Sequence, residues 1–197
     1  MAWAVLGSTK LSSTADTITV DSLPVRKHLV VQVKGIASGN LDMCYLRFNN
    51  DSGSNYTARK ANNGGSMDAN NSITGILYQT GNAAYNHLAT FNIVNVAAKE
   101  KLVIAKLAET ASGAGNAPNR KEVTGKWANT SDAITRVDVV NTGGAGDFAV
   151  DSEVIVWGDE STDAAETFIE NSTIFEETDT GKHRIWNSTT SAWTEIA

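Results

Sequence analysis

Apolar residues in this chain recur at every second position, in short runs broken by glycine, asparagine and serine. From Ile134 to Gly158 the sequence reads ITRVDVVNTGGAGDFAVDSEVIVWG. In its first half Thr135, Val137 and Val139 share one parity, and Arg136 and Asp138 share the other. In its second half Val154 to Trp157 form a short apolar run after Asp151-Ser152. Successive side chains on a strand point to opposite faces, so the stretch reads as strand, glycine loop and strand, the closing pair of a sheet-built body. Two strands are not stable alone in water, so the preceding chain must supply their partners.

Candidate partners are numerous. Thr17 to Val20 is β-branched, and Pro24 biases Leu23 toward extended geometry and a turn. In His28 to Lys34, Val31 and Val33 lie opposite Val30 and Gln32. Ser38-Gly39-Asn40 then gives a turn of hairpin length before Leu41 to Phe48. Asn49 to Asn63 is polar, either a long loop or a pair of ragged edge strands, and strand character resumes at Ile73 to Gln79. From His87 to Val96, Leu88, Thr90, Asn92 and Val94 alternate with Ala89, Phe91, Ile93 and Asn95. Ala97 to Ala111 is rich in helix formers, yet Leu102, Ile104 and Lys106 alternate with Val103, Ala105 and Leu107, and the strands around it favour a strand at 101–107. A loop at 112–119 precedes a strand at 122–128 that ends near Trp127. The sum is about ten short strands without a long helix, which predicts an all-β, jelly-roll-like antiparallel β-sandwich.

The body is expected to span residues 1–158, where fourteen Lys/Arg meet thirteen Asp/Glu. The remaining residues, 159–197, hold two basic residues against nine acidic ones. Residues 159–172 read as an acidic linker, with a capping box at Asp163 to Glu166. Residues 173–197 read as a small three-strand meander: Ile174 to Glu176, His183 to Trp186, and Ala192 to Ile196. A unit this small is expected to pack on something larger.

Chemistry is sparse. No clustered basic face invites nucleic acid. The start lacks a basic segment leading into an apolar one, so no secretory leader is expected, and no apolar run approaches the roughly 18 residues of a membrane span. The single cysteine, Cys44, lies in an apolar run and reads as a buried thiol. His28, His87 and His183 lack metal-ligand spacing, and the first two are expected to be solvated or hydrogen-bonded. Gly113 to Gly115 and Gly143 to Gly146 lack the context of phosphate loops and read as turns. The run Asn49 to Asn55 is rich in oxygen donors that suit calcium but has one carboxylate, and such runs form turns unaided. Glu176-Glu177 with Asp179 reads as solvated charge, because neighbouring strand residues face opposite ways. No catalytic residue, metal or cofactor is expected. Trp186, Trp193 and Phe175 are the candidates for docking or glycan contact, with Tyr56 a further glycan candidate.

Two stretches carry a resemblance. The end, TIFEETDTGKHRIWNSTTSAWTEI, resembles a short hairpin module of FEETDTGK type that recurs in structural proteins of tailed bacteriophages. The body, with Trp3, Leu6-Gly-Ser-Thr9, Leu11-Ser-Ser13, LRFNNDSGSNY from Leu46 to Tyr56, and Val154 to Gly158, is similar to a group of phage virion proteins. The resemblance implies a non-enzymatic virion component assembled in the host cytoplasm. Capsid decoration or head fibre comes first, with the major capsid protein as partner and a homo-oligomeric state. A tail or baseplate protein, or a module binding host glycans, is the alternative.

Overall fold

The computed structural model describes residues 3–41, 43–80, 85–110, 113–143, 147–159, 174–177, 182–187 and 192–196. The chain divides into two compact units, Met1–Asp163 and Ala164–Ala197. The first unit contains β1 (Trp3–Lys10), β2 (Thr17–Val20), β3 (His28–Gly35), β4 (Met43–Phe48), β5 (Tyr56–Asn62) and β6 (Asp68–Ile73). It continues with β7 (Ile76–Thr80), β8 (His87–Val94), β9 (Lys101–Glu109), β10 (Asn119–Trp127), β11 (Val137–Asn141) and β12 (Glu153–Asp159). They form an eight-stranded sheet in the order β1-β12-β3-β8-β9-β10-β5-β6 and a four-stranded sheet in the order β2-β11-β4-β7.

With β5, β6, β9 and β10 set aside, the rest is a jelly roll. Strand β1 pairs with β12, β2 with β11, β3 with β8 and β4 with β7, all antiparallel. The chain is thus one long ribbon doubled on itself, whose successive rungs fall in alternate sheets. Two insertions, β5–β6 and β9–β10, both lengthen the same sheet beyond β8. The alternation expected between Lys101 and Leu107 is that of β9, whose Val103, Ala105 and Leu107 are buried while Leu102 and Ile104 are exposed.

A single apolar core lies between the sheets, contributed by both. Phe48, Tyr56 and Trp127 form an aromatic group with ring centroids 5.7–6.2 Å apart. Strands β10 and β7 approach closely here, since a Cβ on Gly125 would fall 2.9 Å from Ile76 Cγ2. Ahead of β11 the extended chain is held by two asparagines. Asn49, at φ 51°, accepts from the Thr135 and Arg136 amides, and buried Asn95 accepts from the Ile134 amide at 2.7 Å.

Several expectations need correction. Strands β3 and β4, expected as a hairpin about Ser38-Gly39-Asn40, lie in different sheets. Strands β11 and β12 of the Ile134–Gly158 stretch are likewise not bonded to each other; each fills an interior position of its own sheet. Asp138, assigned to the face opposite Val137 and Val139, is nevertheless buried, because Arg136 chelates its carboxylate at 2.8–3.0 Å and Thr19 donates to it at 2.6 Å. Strand β6, DANNSI, had no counterpart in the alternation; it is the polar edge of the long sheet. Within the glycine loop, 144–146 lie outside the described residues.

The second unit holds β13 (Ile174–Glu177), β14 (Lys182–Asn187) and β15 (Ala192–Ile196), an antiparallel three-stranded meander in that order. The expected linker and its capping box fall, beyond Asp159, outside the described residues.

Candidate functional site

The outward face of the eight-stranded sheet is the most unusual surface among the described residues. Strand register lays Val5, Trp157, Val30, Asn92, Ile104 and Thr124 in one row across six strands. The adjoining row carries His28, Val94, Leu102 and Lys126. Val5, Leu102 and Ile104 are 56–59 % exposed, and Trp3 is half exposed beside them on β1. Isolated exposed apolar residues need no explanation, but adjacent ones on neighbouring strands make a patch of the kind that marks contact surfaces. Its flank is charged: Lys126 pairs with Glu100 at 2.8 Å, and His28 Nδ1 lies 2.6 Å from the Asp159 carboxylate. A shallow cleft of about 200 Å³ opens on this face between Arg59, Leu102, Thr124 and Lys126. Such rows suit a flat partner that covers several strands at once.

A second feature lies inside the sandwich. On four neighbouring strands the inward parity is apolar until the end of the strand, where it turns polar: His87 on β8, Glu109 on β9, Lys121 on β10 and Lys60 on β5. All four are buried. Lys121 Nζ donates to Gln79 Oε1 at 2.6 Å and to the Thr80 carbonyl at 3.1 Å, and it ion-pairs with Glu109. Lys60 Nζ donates to Thr80 Oγ1 at 2.5 Å, and burial followed by the charge of Lys121 lowers its pKa. Burial, followed by the same Lys121 charge, brings His87 down to about 4, so its ring is neutral at pH 7. The ring occupies the space above Gly35, where a Cβ would fall 2.2 Å from Cε1. Its Nε2 meets the Tyr78 hydroxyl at 3.3 Å, and its Nδ1 has no partner. The expectation of a solvated or hydrogen-bonded imidazole holds for His28 but only by half for His87.

The oxygen-rich loop at 49–55 satisfies itself. Asp51 accepts from the Gly53 amide at 2.8 Å, from Asn55 Nδ2 at 3.0 and 3.2 Å, and from Trp127 Nε1 at 2.7 Å. Burial alone would raise the Asp51 pKa, but the bonds from Trp127, Asn55 and Gly53 together lower it. The single carboxylate is engaged in joining the loop to the core. Tyr56 is a correction: offered as a glycan contact, it is fully buried, its hydroxyl held at Asp51 and Phe48 backbone atoms. Cys44 is buried, as its apolar surroundings suggested.

The candidates of the second unit are placed by register alone. Trp186 on β14 is opposite Trp193 on β15, and Phe175 on β13 is opposite Arg184. The meander therefore brings the two tryptophans to one cross-strand pair, with Phe175 on the far strand, two registers removed from that pair's row. The acidic run 176–179 is described only as far as Glu177.

Sequence reasoning missed the outward row on β1, β3, β8 and β9 and the polar layer at the strand ends. Both were carried by parity. Extending the alternation of each strand to its last residue places Lys60, Lys121, Glu109 and His87 inside, and Leu102 and Ile104 outside. Comparison with protein-family models, curated proteins and solved structures gave no match.

Proposed function

We propose that this protein is a non-enzymatic structural component of a bacteriophage virion, docking on the capsid as a decoration or head-fibre protein in oligomeric form. The observation that carries the reading is the largely apolar patch on the outward face of the long sheet, made by two adjoining rows, Val5, Trp157, Val30 and Ile104 in one and Val94 and Leu102 in the other. A patch that crosses five strands offers a broad flat contact and no enclosed pocket, which suits a neighbouring subunit better than a small ligand. The two insertions widen only the sheet that bears it. The likeness of the Leu46–Tyr56 and Phe175–Ile196 stretches to phage structural proteins supplies the kind of partner, and a jelly roll by itself supplies none.

The test is reconstitution. The purified chain is mixed with capsids and, separately, with tails lacking it, and its mass in solution is measured by light scattering. Binding to capsids by the wild type, lost in a Leu102→Asp/Ile104→Asp variant of unchanged circular dichroism, is the expected result. Binding only to tails would move the site on the particle. A strict monomer that binds neither would overturn the reading.

A further inference from the structure

The polar layer inside the sandwich holds an amine, a primary amide and a carboxylate against one another, away from water. Lys121, Gln79 and Glu109 are 4 %, 1 % and 2 % exposed. Lys121 Nζ touches Gln79 Oε1 at 2.6 Å, so the amide carbon Cδ is one bond from an atom the amine already meets. The same Nζ is in contact with Glu109 Oε1. We propose that Lys121 and Gln79 condense to an isopeptide cross-link between the two sheets, with Glu109 carrying the proton. This does not rest on the virion reading.

The step balances without an added reactant. Glu109 takes a proton from the ammonium, and the freed Nζ lone pair attacks Gln79 Cδ. The nitrogen–carbon bond forms, Glu109 returns its proton to Gln79 Nε2, and the carbon–Nε2 bond breaks. Ammonia leaves, the amide is secondary, and the second proton lost by Nζ leaves with the ammonia. Nothing is oxidised or reduced.

Three features favour it. Glu109 Oε1 lies against Lys121 Nζ, so the carboxylate is placed to take the ammonium proton as the bond forms. A nucleophile held against its target reacts as though at very high concentration, and excluded water cannot compete. Glu109 also borders a cleft of about 340 Å³ with Gly35, His87, Ala108 and Pro118, an outlet for ammonia. The bond would fasten β7, on the edge of the four-stranded sheet, to β10, a strand of an insertion in the other.

The experiment is the intact mass of the denatured full-length chain, followed by peptide mapping. The expected result is a mass short by one ammonia, with a branched peptide joining Gln79 to Lys121. The chains Glu109→Gln and Lys121→Arg should keep their full mass. A wild-type chain at full sequence mass overturns the proposal, and that reading needs no variant to fold. So does a missing ammonia that maps to a succinimide at Asn63-Gly64 and is removed by hydroxylamine.

Discussion

Replacing Asp51 by alanine should destabilise the body by an amount that its three donors define. Two of those donors, the Gly53 amide and the Asn55 side chain, sit at the surface and can turn to water, so their loss costs roughly 0.5–1 kcal/mol each. The third partner cannot: Trp127 is 1 % exposed, and its Nε1 bond to Asp51 at 2.7 Å has no substitute among the described residues. An orphaned buried donor costs about 1–3 kcal/mol, so Asp51→Ala should lose about 2–5 kcal/mol in urea denaturation followed by far-ultraviolet circular dichroism. The decisive number is the coupling. Trp127→Phe removes the donor along with some packing, and a double-mutant cycle cancels the packing. The cycle should return about 1–2 kcal/mol. A coupling below about 0.5 kcal/mol would show that the loop is not fastened to the core through this bond. The pH dependence has a definite sign. The folded pKa lies below the ordinary carboxylate value, so the folded state binds this proton less readily than the unfolded chain. The stabilisation is complete above the unfolded value of about 4 and fades as pH falls through the folded one. Wild type and Asp51→Ala should therefore converge in acid.

Other outcomes can be checked alongside. His87 is depressed to about 4, so the neutral ring stabilises the fold fully above the unfolded value near 6.5, and that contribution drains away between there and pH 4. The total is about 3 kcal/mol, and a His87→Gln chain should show a flatter stability profile over that interval. Gly35→Ala should cost about 1–3 kcal/mol, since the new methyl meets the His87 ring at 2.2–2.8 Å, and His87→Ser in the same chain should recover part of it. Leu102→Asp/Ile104→Asp should change the unfolding midpoint little, within about 0.5 kcal/mol per site, because both side chains are more than half exposed. Its effect should fall on association, read by light scattering.

How much of this was legible in the chain differs by level. Strand identity was written in parity: His28 to Gly35, His87 to Val94 and Lys101 to Glu109 each bury every second residue, as their sequences announce. Even Lys101 to Glu109, within a stretch that contains good helix formers, follows alternation over propensity, because β9 has strands on both sides to bury its inward residues. Sheet allegiance was not legible. Ser38-Gly39-Asn40 signals a reversal, and a reversal serves equally to return a strand beside its predecessor or to carry it to the opposite sheet. Strand β6 escaped because an edge strand need bury little, and Asp68-Ala-Asn-Asn-Ser-Ile73 carries the polarity that protects an open edge. Tyr56 looked like a surface aromatic because its neighbours in sequence are polar, yet Phe48 from the preceding strand and Trp127, remote along the chain, close over it.

The placement of the insertions has a consequence for how the chain acquires its structure. The hairpin β5–β6 joins the long sheet only through β10, whose Asn119 lies 57 residues beyond Asn62. On a ribosome that hairpin emerges well before the strand that gives it a place, and β10 can align only after β8 and β9 have laid down the edge it extends. Sequential release therefore leaves a two-stranded ribbon waiting with an unpaired side. Its early partner-free interval should be the step most open to chaperones and most sensitive to translation rate.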